Sequence, residues 1–237
     1  MKTKTAFLLI LAWLFLPGNP STQGAVVITE LMSFSSHGGG SNNADWFELT
    51  NTGPSTVSLI GWSWDRLSNT AGTATFGSVT SMAAGTSLIF TLETLGAESS
   101  WISNWGLAGV TVVNLGNGAP NFLASGDRLY IYDETNAQVT SVNFGAATQG
   151  KTFEWDQLGN SLGLSVAGEN GAYSAISNGQ TSSPGPGVDI GSPGFAVPEP
   201  SRVLFLAMST LAAITRRRRE RSFESCFSAN RPVKLGS

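Results

Sequence analysis

The chain has 237 residues, of which only 12% are charged, with 28 glycines, one cysteine and one histidine. This balance excludes a helix-rich protein and points to many short strands joined by Gly, Ser, Thr and Asn turns. A lone cysteine, Cys226, excludes an intramolecular disulfide, so packing alone must hold the fold.

Lys2 and Lys4 precede an apolar run from Ala6 to Leu16, and Pro17, Gly18 and Pro20 break it before the small residues Thr22, Gly24 and Ala25. The run is shorter than the roughly 20 residues that span a bilayer, so residues 1–24 read as a cleavable secretory signal peptide. Beyond it the net charge of −3 conceals a strong segregation. Between Ala25 and Val197 stand three basic residues and thirteen acidic ones, a net of −10, whereas both ends are basic. Such a field repels phosphate backbones and excludes nucleic acid as a partner.

Apolar or alternating runs follow at Val26 to Met32, Trp46 to Thr50, Val57 to Trp62, Ser87 to Leu92, Val110 to Leu115, Arg128 to Tyr132 and Val139 to Phe144. Their spacing predicts an all-β, antiparallel β-sandwich over residues 25–181, with Asp133 to Ala137 closing a hairpin between the last two runs. Residues 91–104 lack a two-residue period and are expected to form a partly helical crossover between sheets. Period two puts Trp46, Glu48 and Thr50 on one face of their strand and Phe47 and Leu49 on the other. Gly61 marks a bend, and Phe47, Leu49, Leu59, Trp62, Leu129 and Ile131 are the expected core.

Three of these runs, Val26-Val27-Ile28-Thr29-Glu30-Leu31-Met32, Asp45-Trp46-Phe47-Glu48-Leu49-Thr50-Asn51 and Val57-Ser58-Leu59-Ile60-Gly61-Trp62-Ser63, resemble the lamin-tail domain. Gly85 to Leu92, Gly126 to Tyr132 and the closing Gly191-Ser192-Pro193-Gly194 extend the resemblance. It implies an immunoglobulin-like sandwich.

Glu30, Asp45 and Glu48 lie near the ends of neighbouring predicted strands, where gathered carboxylates could ligate calcium, an ion that takes six to eight oxygens. Otherwise no cofactor is expected, and the spaced Asp/Asn/Gly loop of a calcium hand is missing. Most of the tryptophans are assigned to packing, with Trp64, Trp105 and Trp155 as candidates for an exposed, sugar-stacking surface. The only histidine, His37, sits in a Gly-rich run far in sequence from Cys226, so no thiolate–imidazole pair is expected. Without a Gly-x-Ser-x-Gly elbow, a zinc-binding set or a phosphate loop, the sequence does not read as an enzyme.

A Pro/Gly/Ser-rich linker spans 182–197. Then come Val197, Pro198, Glu199 and Pro200, an apolar segment to Ile214, and Arg216, Arg217, Arg218 and Arg219. This order over 198–219 resembles the PEP-CTERM sorting signal, which implies an exosortase-type partner and a C-terminal transmembrane helix. Arginines after an apolar segment stay on the cytoplasmic side and fix the preceding domain outside. Arg202 and an 18-residue tail over 220–237, expected to be disordered, depart from that pattern.

The expectation is a non-catalytic exported protein of the cell envelope or extracellular matrix, transiently membrane-anchored, whose sandwich binds or scaffolds. The alternatives are a calcium- or glycan-binding module within an exopolysaccharide matrix, with envelope or matrix polysaccharide as partner, and a secreted hydrolase with an unrecognised site.

Overall fold

A computed structural model describes residues 26–36, 45–92, 98–116, 121–176 and 187–196. The signal segment 1–24, His37, the sorting element Val197 to Pro200, the arginines 216–219 and the tail with Cys226 lie outside the described residues. Among the described residues, no helix is long and apolar enough to cross a membrane.

One sheet has six strands in the order β12 (Ser161–Leu164), β11 (Phe153–Trp155), β1 (Val26–Met32), β2 (Trp46–Asn51), β7 (Ser87–Thr91) and β8 (Thr111–Asn114). A second has four, β10 (Gln138–Phe144), β9 (Asp127–Tyr132), β4 (Ser63–Asp65) and β5 (Ala74–Thr75). Two short pairs complete the set, β3 (Val57–Ser58) with β6 (Ser81–Met82) and β13 (Tyr173–Ser174) with β14 (Ile190–Gly191). Pairing is antiparallel except between β7 and β8.

The two larger sheets enclose one apolar core. Ile28, Leu31, Phe47, Leu49 and Phe90 come from the first, Trp64, Leu129, Ile131 and Val142 from the second. Phe47 is central, stacked on Phe90 at 5.1 Å and tilted against Trp64 at 5.3 Å. All six residues expected in the core are buried. The hairpin between β9 and β10 also forms as expected. Asp133 Oδ1 accepts from the Thr135 and Ala137 N–H groups, and Asn136 takes the left-handed conformation that the turn requires.

Two expectations change. Val57 to Trp62 is not one strand: after Ser58 the chain turns, Trp62 N–H donates to the Leu59 carbonyl, and Gly61 has φ of 79°. The turn brings both Leu59 and Trp62 into the core while Ile60 stays exposed, which a continuous strand could not do. The helical segment, α1 (Glu98–Trp105), does not cross between sheets. It joins β7 to β8 within one sheet, because parallel neighbours cannot be linked by a tight turn.

The six-stranded sheet is covered on its outer face as well, giving a third layer. At one end α1 and β13 pack Trp101, Trp105 and Tyr173 around Trp46, with Trp46 edge-on to Trp101 and Trp105 at 5.4 and 5.8 Å. Elsewhere residues 187–196 lie across the sheet as a strap. Composition assigns this stretch to a linker, yet Asp189, Gly191, Ser192 and Pro193 are buried in it. Coverage of both faces explains why every residue of β2 is buried.

Candidate functional site

The site begins with a β-bulge. Along β1, strict alternation would place Ile28, Glu30 and Met32 on one face and leave Leu31 on the other. The register to β2 slips between Ile28 and Glu30, which inserts Thr29 as the extra residue. A bulge reverses the alternation beyond it. Ile28 and Leu31 therefore both point into the sandwich core, while Met32 packs with Trp46 outside. Glu30 joins the outer face with Glu48, its partner on β2.

Glu30 also stands opposite Glu154 of β11. Three carboxylates thus form a cross-strand row, Glu154–Glu30–Glu48, all at most 2% exposed. Directly opposed like charges are unfavourable on a sheet, and burial magnifies the cost. The surroundings offset it with neutral donors. Thr152 Oγ1 and Ser192 N–H donate to Glu30 Oε1 at 2.7 and 2.6 Å. Thr29 Oγ1 donates to Glu48 Oε1 at 2.6 Å, and Gly194 N–H donates to Glu48 Oε2 at 2.5 Å. Ser192 Oγ donates to Glu154 Oε1 at 3.1 Å. Glu30 Oε2 is buried without a hydrogen-bond partner. Among the described residues no basic side chain is ion-paired to the row; the one ion pair joins Arg66 to Asp127.

Burial raises all three carboxyl pKa values above the usual range. Glu30 rises furthest because the charge on Glu48 adds to desolvation. The same environment, burial first and then the charges of Glu30 and Glu48, pushes the Tyr173 phenol up to about 12. Its hydroxyl donates to the Trp105 carbonyl.

The strap is pinned at its other end by Asp189. Its Oδ2 accepts from Ser35 Oγ, and its Oδ1 from the N–H and hydroxyl of Ser36, all within 2.6 Å. Gly191 has to be glycine: a Cβ there would lie 2.5 Å from Glu30 Oε1 and 2.9 Å from a Thr152 methyl.

Of the three carboxylates expected to share a cation, the structure brings together Glu30 and Glu48 only. Asp45 follows the phase of Phe47 and Leu49 onto the inner face. There it accepts from the Phe122 N–H at 2.8 Å, within the field of Arg66 and Asp127. Facing opposite sides of the sheet, Asp45 and Glu48 cannot hold one ion. Among the described residues, no three His, Cys, Asp or Glu side chains form a group able to hold a metal. The sugar-stacking candidates Trp64, Trp105 and Trp155 are all buried, the first two in different layers. An uncharged surface cleft of about 640 Å³ lies beside the strap, with Ser81, Thr86, Ser87 and Thr111 in its lining.

Sequence reasoning missed Glu154, Thr152 and the role of Ser192. A signal was present, since Phe153-Glu154-Trp155 repeats the aromatic–Glu–apolar order of Phe47-Glu48-Leu49.

Two packed β-sheets with mainly antiparallel pairing, hairpin-linked and closed over one core, define an immunoglobulin-like β-sandwich. The chain belongs to the lamin tail domain family, whose sequence profile matches residues 19–164 and so ends at the last residue of β12. The β13–β14 pair and the strap are beyond that match. None of the curated proteins compared with the chain matches it.

Proposed function

We propose that this chain is a non-catalytic exported protein of the cell envelope or extracellular matrix, in which the lamin tail domain binds or scaffolds. The observation that carries the reading is the use to which the domain puts its acids. Glu30, Glu48 and Glu154 are buried and hydrogen-bonded to the strap, and Asp189 ties the strap to Ser35 and Ser36 just after β1, so these acids fasten layers and do not face a substrate. A lamin tail sandwich suits binding through its surfaces, although the fold alone does not assign a ligand.

Export rests on the termini. The basic, apolar and small-residue order of residues 1–25 is that of a secretory signal. Val197-Pro198-Glu199-Pro200, the apolar segment and Arg216 to Arg219 resemble a PEP-CTERM signal, and the arginines would hold that end on the cytoplasmic side until an exosortase-type enzyme acts. A periplasm-active reporter inserted between Val197 and Pro198, together with mass spectrometry of the envelope fraction, tests this. Reporter activity and a processed envelope-associated chain are expected. An intact chain recovered from the cytosol overturns it.

A further inference from the structure

We propose that residues 192–196, the end of the strap, are a proton-held latch, which lets go of the six-stranded sheet as pH rises while the sandwich beneath stays folded.

The geometry separates latch from core. No residue of 187–196 belongs to either apolar cluster, so the strap is fastened mainly through polar contacts and lifting it uncovers a polar row. Such a segment has the character of a low-stability unit that opens on its own. The end from Ser192 onward is fastened to the carboxyl row, whereas Asp189 to Gly191 are held by Ser35, Ser36, the backbone of Gly150, Thr152 and Ala175 and the pairing with β13. Ser192 touches Glu30 through its N–H and Glu154 through its hydroxyl, and Gly194 N–H reaches Glu48.

The groups facing the row supply no compensating cation. Glu30 comes from β1, Glu48 from β2 and Glu154 from β11; Tyr173 of β13 and Glu169, which precedes it, bear on them from above. From the strap come Ser192 and Gly194, with Asp189 turned to Ser35 and Ser36. With the strap closed, water is excluded and the row is tolerable only while it keeps a proton. Glu30 Oε2, which has no other partner, is the atom to hold it. With the strap lifted, the same carboxyls meet water and ionise in the ordinary range.

The sign follows. Closed-state pKa values above open-state ones mean that closing takes up a proton, so closure is fully supported below the ordinary glutamate range and is lost as pH rises toward the closed-state value. In that window one proton released per opening makes the opening equilibrium grow about tenfold per pH unit.

Hydrogen–deuterium exchange on the full chain, corrected for the intrinsic rate, measures this as pH is raised from about 5, just above the ordinary glutamate range. Peptides covering Ser192 and Gly194 should lose protection by about tenfold per pH unit as the row gives up its proton, while the β9 peptide stays protected. Glu30→Gln, which keeps the acceptor and removes that residue's titration, should reduce the strap's pH dependence to what Glu48 and Glu154 contribute. Strap protection independent of pH, strap and β9 exchanging together throughout, or a Glu30→Gln slope equal to the parent's would each overturn the proposal. If Glu30→Gln does not fold, the parent series decides by itself.

Discussion

Asp45 and Gly61 show how single positions carry the constraints of the whole. Burial is the main reason the Asp45 carboxyl is pushed up to about 7, against the lowering effects of the Phe122 N–H and of Arg66. Folding therefore binds a proton at this site that the unfolded chain releases at lower pH. Its contribution to stability is intact below the usual aspartate range and disappears as pH climbs through about 7. Asp45→Asn keeps an acceptor for Phe122 and should remove a few kcal/mol of pH-dependent loss between about pH 4 and about pH 8, read from urea unfolding curves at each pH. At Gly61, φ of 79° and a would-be Cβ 3.0 Å from Glu134 Cβ add a contact to an unfavourable backbone. Gly61→Ala should cost about 1–2 kcal/mol in the same assay, with β9 and β10 losing exchange protection.

For the elements, the bulge at Thr29 decides more than any strand length. It sends Glu30 outward and Leu31 inward, and Thr29 spends its hydroxyl on Glu48 and Thr50. Thr29→Ala retains the extra residue and loses those bonds, a cost of about 1–3 kcal/mol in thermal or urea unfolding. Deleting Thr29 removes the extra residue and leaves a regular strand in which Ile28 and Leu31 still face the core and Glu30 still faces outward opposite Glu48. That variant should keep a cooperative transition while losing the same hydroxyl bonds. The two variants together separate the hydroxyl from the extra backbone residue.

That bulge also marks where the sequence stops being legible. In β2 the period-two reading of Trp46, Glu48 and Thr50 against Phe47 and Leu49 matches the structure, because no irregularity interrupts the pairing with β7. In β1 the same rule misplaces Glu30, since a one-residue insertion leaves no trace in composition. The strands β4, β5, β6 and β11 to β14 run two to four residues, too short for a periodic signal. Trp105 reads as available to solvent because nothing in a Gly/Pro/Ser-rich C-terminal stretch announces a third layer. The helix that carries it is visible as a break in period, but its link between parallel neighbours is not.

At the scale of the molecule, the outer layer closes the fold with residues far apart along the chain. Glu30 of β1 meets the N–H of Ser192, 162 residues later. β1 also has one edge reserved for β11, whose strand forms only near the end of the sandwich sequence. Contacts of such range are slow to form, because the intervening loop must be ordered first. A chain passing N-terminus first through a narrow pore would thus emerge with its opening strand still half unpaired. Final closure would wait until the residues just ahead of Pro198 had cleared the channel, keeping the translocating polypeptide threadable for almost the whole passage.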